Sequence, residues 1–121
     1  MGTFLHHIEI GDPQGQRYER VEALVDTGAS YTTLPASLLR SLGVQSLGQR
    51  PFELADERVV MLDIGQTWVR INGSAMIRAV VFSPGEDSIL GVDTLEGLGL
   101  AVDPVRKRLF PVPGLLKRVR E

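Results

Sequence analysis

Apolar and polar positions alternate with a period of two along much of this chain. Phe4, His6, Ile8 and Ile10 share one parity, so residues 3 to 10 read as a strand. Gly11-Asp12-Pro13-Gln14-Gly15 is a turn, and residues 18 to 26 form a second strand that runs into Asp26. Pro35 opens a short helix through Leu38, Leu39 and Leu42, with Gly43 as its stop. Phe52 to Leu62 predict a hairpin turning near Asp56-Glu57. Thr67 to Ile71 and Ala75 to Phe82 flank Asn72-Gly73, a strong two-residue hairpin signal. Ser83 to Asp87 form a polar loop. Residues 93 to 98 suit a second short helix with Asp93 or Thr94 as its cap. A last hairpin turns around Asp103-Pro104. The pattern predicts a chain of short strands with little helix.

Composition narrows the class. The 121 residues fit one domain, and 43% apolar with 23% charged residues is a globular balance. The net charge of −2 gives no bulk attraction to nucleic acid. Six of the thirteen Lys and Arg fall in residues 103 to 121 beside two acids. This basic end reads as solvated, a membrane-surface or anionic-partner contact being the minor alternative. No cysteine means no disulfide frame and no thiol chemistry. The first ten residues do not resemble a signal peptide, Met1-Gly2 lacks the Ser or Thr that myristoylation needs at position 6, and no apolar run is long enough to span a bilayer. The expected location is cytoplasmic.

The chemistry concentrates in Leu24-Val25-Asp26-Thr27-Gly28-Ala29, where an apolar run delivers one carboxylate to a turn. Alone, Asp-Thr-Gly reads as an ordinary strand end. Ser30-Tyr31-Thr32-Thr33-Leu34-Pro35 continue the run, and Ser88-Ile89-Leu90-Gly91-Val92-Asp93-Thr94-Leu95 follow about 60 residues downstream. These two stretches, in this order, resemble the two signatures of retropepsin-like (clan AA) aspartic peptidases of the bacterial single-domain type. Residues 101 to 110 look like the closing hairpin of such proteins, so the resemblance spans roughly residues 4 to 112.

The resemblance implies an all-β, small closed-barrel-like acid-protease fold with one or two short helices and a single Asp-Thr-Gly lobe. It implies a peptidase domain over residues 1–112 and a tail over 113–121. Hydrolysis by water without a cofactor or a metal needs a base for the water and an acid for the departing amine. Two carboxylates that share one proton fill both roles, as they do in aspartic proteases generally. A chain with one such loop is too short for two lobes, so a second copy must bring the second Asp26 in an isologous homodimer. By resemblance, Asp26 is catalytic, Thr27 braces the two loops across the axis, Gly28 presents backbone to a peptide or protein substrate, and Ala29 and Ser30 support the loop. The flap is Glu53 to Val60, with Ala55, Asp56, Glu57 and Arg58 at its tip. It holds no Gly, and Glu57 stands where bacterial relatives often carry one.

Other residues take plainer readings. Val92-Asp93-Thr94 echoes Val25-Asp26-Thr27, but Leu95 replaces the Gly, so Asp93 reads as a helix cap. His6 and His7 face opposite sides of a strand, which argues against a metal site. Trp68 reads as core or interface. Glycines 43, 48, 65, 97 and 99 read as punctuation. The leading function is a homodimeric aspartic endopeptidase. The alternative is a retropepsin-fold dimer that binds proteins or peptides with weak or lost cleavage, and an unrelated small β protein comes last.

Overall fold

The computed structural model describes residues 3–121. Among them lie nine strands and two short helices: β1 (Phe4–Gly11), β2 (Tyr18–Val25), β3 (Thr32–Pro35), α1 (Ala36–Ser41), β4 (Gly48–Glu53), β5 (Val59–Ile71), β6 (Ser74–Ser83), β7 (Ile89–Leu90), α2 (Val92–Gly97), β8 (Leu100–Asp103) and β9 (Arg108–Pro111). This is the small all-β protease architecture. Seven strands form one sheet in the order β1-β2-β7-β3-β6-β5-β4, and β1 also pairs with β5. The sheet therefore closes on itself through six strands and leaves β4 outside the ring. β8 and β9 form a separate two-stranded sheet.

The ring encloses the core. Phe4, Ile8 and Ile10 of β1 are buried, as their shared parity predicts. Val25, Leu34, Val69, Val80 and Leu90 meet them from the other strands, and Leu39 and Leu95 close the ends from the two helices. Turn chemistry sets the registers. Asn72 and Gly73 both hold positive φ, 52° and 86°, the type I′ pattern that pairs Ile71 with Ser74. Asp103 Oδ1 accepts the amides of Val105 and Arg106 at 3.1 Å and fixes the β8–β9 turn.

Four elements differ from the expectation from sequence. β5 is a single strand of 13 residues where two pieces were expected. Gly65 does not punctuate it. A Cβ there would stand 2.7 Å from the Gln45 carbonyl oxygen, so Gly65 is the place where another chain segment crosses close by. β3 and β7 were not predicted as strands from the sequence. Both are strands because of partners far along the chain: Thr32 to Pro35 lie parallel to Val80 to Ser83, and Leu24-Val25 lie parallel to Ile89-Leu90. Asp93 and Thr94 do not cap α2. Gly91 is its N-cap and no side chain caps it.

Candidate active site

β2 ends at Val25, and the chain turns at once. The Asp26 amide donates to the Leu90 carbonyl at 3.1 Å, and the Ala29 amide returns to the Asp26 carbonyl at 3.1 Å. Asp26 Oδ1 accepts the Gly28 amide at 2.9 Å, which fixes the carboxylate over its own loop. Asp26 is half-buried, while Thr27, Gly28 and Ser30 are exposed.

The second signature holds this loop in place. A helix begins with amides that have no partner inside it. In α2 those of Val92 and Asp93 donate to the carbonyls of Ala29 and Ser30, both at 2.9 Å. The Asp26 loop thus does the capping that Asp93 was expected to do. Ser30 contributes its carbonyl to this brace. Beneath it, the Gly91 amide donates to the Thr32 hydroxyl at 3.1 Å, and Thr32 and Thr94 share a hydrogen bond of 2.5 Å, all buried. Gly91 must be glycine, since a Cβ would enter the Tyr31 peptide backbone. The Asp93 carboxylate instead pairs with Arg78 at 3.1 Å, which ties α2 to β6.

A cleft of about 690 Å³ opens beside the loop, with Gly28, Ala29 and Ser30 in its wall. The β4–β5 hairpin forms another wall. Arg50, Phe52 and Leu54 share one parity and line it, facing Val60 and Leu62 across the register. The tip is a three-residue loop with Glu57 at φ 69°, the position of such a turn that usually holds Gly. Arg58 donates to Asp56 through its Nε at 2.7 Å and its amide at 3.1 Å. That guanidinium, with the Arg58 amide after it, holds the Asp56 carboxyl below the ordinary range. Of the four expected tip residues, Arg58 lines the cleft and Ala55, Asp56 and Glu57 lie outside its wall.

An aspartyl protease family model matches residues 8–94, from β1 into the start of α2. The chain belongs to that aspartyl protease family. None of the curated proteins compared matches it. The matched span contains the first signature, the hairpin wall and the second signature up to Thr94. Three cleft residues, Tyr31, Arg50 and Phe52, were not expected from the sequence. Tyr31 stands edge-on to Phe52 with ring centroids 6.2 Å apart, and the Arg50 guanidinium lies 5.6 Å from the Tyr31 ring centre. The parity of positions 50, 52 and 54 is the signal that marks a common face for this wall. Trp68 is half-buried and packs over the turn at Gly15. No helix among the described residues is long and apolar enough to cross a membrane.

Proposed function

We propose that this chain is an aspartic endopeptidase whose active site forms in a homodimer. The observation that carries this reading is the Asp26 carboxylate, held by the Gly28 amide at the end of a strand and braced by the second signature, in a chain of the aspartyl protease family. Asp26 of one copy would activate water, and Asp26 of the other would hold the proton that the departing amine takes. Attack on the scissile carbonyl gives a tetrahedral diol with no covalent enzyme intermediate. Thr27 would brace the two loops across the axis, and the exposed Gly28 would present its backbone to substrate. Exposed apolar side chains at Leu5, Phe110, Leu115 and Leu116 offer surface that a second copy would cover.

The test is cleavage of a diverse peptide mixture at mildly acid pH and high protein concentration, by wild type and Asp26→Asn in parallel. Wild type is expected to cut, with turnover falling as pH rises until both carboxylates ionise. Asp26→Asn keeps the shape and removes the shared proton, so it is expected to stay dimeric and lose turnover by at least about 100-fold. Full activity in Asp26→Asn would refute the mechanism. The second reading, a dimer that binds peptides without cutting them, draws support from the locked, charged flap tip. It moves ahead if a dimeric wild type binds peptides and cuts none.

A further inference from the structure

The flap wall carries a cation without a counter-charge. Arg50 lines the cleft and is exposed. Among the described residues no carboxylate pairs with it, whereas the other cleft cation, Arg58, is held by Asp56. Two acids border the cleft, and neither answers Arg50. Glu53 lines the cleft from the opposite parity of β4, is paired in register with the exposed Val59 and makes no ion pair with Arg50. Asp87 belongs to the loop between β6 and β7 and is exposed.

Arg50 is also pre-positioned. Its Nη1 donates to the Tyr31 hydroxyl at 3.3 Å while its guanidinium lies near the Tyr31 ring, and Phe52 holds that ring edge-on. A guanidinium has five donors in a planar fork. One is spent on Tyr31, so an edge remains for a carboxylate to meet with two parallel bonds. Tyr31 follows Ser30 in the chain, and Arg50 and Tyr31 line the same cleft as Gly28, Ala29 and Ser30 of the Asp26 loop. Phe52, Leu54, Val60 and Leu62 line the same cleft and offer apolar contact to the neighbours of such a carboxylate.

We propose that Arg50 is a specificity residue that selects extended peptides bearing a Glu or Asp side chain amid apolar neighbours. The inference rests on the reading of this cleft as the peptide site. In a two-fold dimer Arg50 occurs twice, once on each side of the scissile bond. Peptides with an acid on both sides are then preferred over those with one.

Binding tests this apart from cleavage. Asp26→Asn is titrated with labelled apolar peptides in which a single Glu, Gln or Lys is moved along the sequence. Glu peptides are expected to bind about 10-fold more tightly than the matching Gln peptides at the best position, and Lys peptides more weakly than both. The Glu-to-Gln ratio should shrink at high salt. Adding Arg50→Gln in the same background should bring it close to unity, while Arg50→Lys keeps part of it. Equal binding of Glu and Gln peptides, a preference that survives Arg50→Gln, or binding of none of them would overturn the proposal. Wild type is given the same peptides for cleavage. Glu peptides that bind but are not cut uphold the Arg50 role and refute the peptidase. Peptides cut without any Glu preference do the reverse.

Discussion

The Thr32 hydroxyl accepts the Gly91 amide and meets the Thr94 hydroxyl, with all three groups shut away from water. Removing it leaves two buried polar groups unsatisfied at the joint between the two signatures. Thr32→Val is therefore expected to cost about 2–3 kcal/mol, read as a lower midpoint in urea, and Thr32→Ser to recover most of it. A Thr32→Val variant as stable as wild type would show that this joint does not depend on the hydroxyl. Residues of this kind were partly legible in the sequence. The Asp26 loop stood out because its parts are contiguous. Thr32 was visible as part of the motif but not as a brace, since its partners lie about 60 positions away. Arg50 and Tyr31 gave no sign of acting together, because only the packing of β4 against the loop places one over the other.

Hairpins were the most readable elements, since their turn residues state the fold locally. Asn72-Gly73 and Asp103-Pro104 turn where their chemistry demands, and the flap turns at Asp56-Glu57. β3 and β7 stayed hidden because four and two residues have no periodicity of their own and become strands only through distant partners. The flap tip yields the prediction at this scale. Glu57 at φ 69° carries roughly 1 kcal/mol of left-handed cost, and a glycine there would add a similar entropy to the unfolded chain. Glu57→Gly should thus shift overall stability by less than about 0.5 kcal/mol. The Leu54 and Arg58 amides should nonetheless exchange hydrogen faster, and unchanged exchange would mean that Glu57 does not stiffen the tip. The Asp56–Arg58 brace adds a pH limit. Because the folded carboxyl is lowered, its contribution is whole above the ordinary Asp value of 3.8 and is lost as pH falls through the lower folded value. At mildly acid pH the tip remains locked.

For the whole molecule, the all-β class followed from alternation, and the family followed from two signatures in order. Closure of the sheet did not, because the β1–β5 contact pairs Glu9 with Arg70 and Ile10 with Val69 across half the chain. The proposed site adds a dependence that one chain cannot show. If two copies build it, activity per chain falls on dilution and returns on reconcentration, as mass action requires. Specific activity that stays constant while sedimentation shows dissociation to monomers would contradict a shared site. The bond from Asp26 to Leu90 has a further consequence in time. Ribosomes emit about 5–20 residues per second, so roughly 3 to 13 seconds pass between the synthesis of the turn and that of the strand that shapes it. Until then Asp26 has neither its brace nor its cleft. On the proposed reading, a nascent chain is chemically silent by construction, because the site cannot form before the second signature has been made.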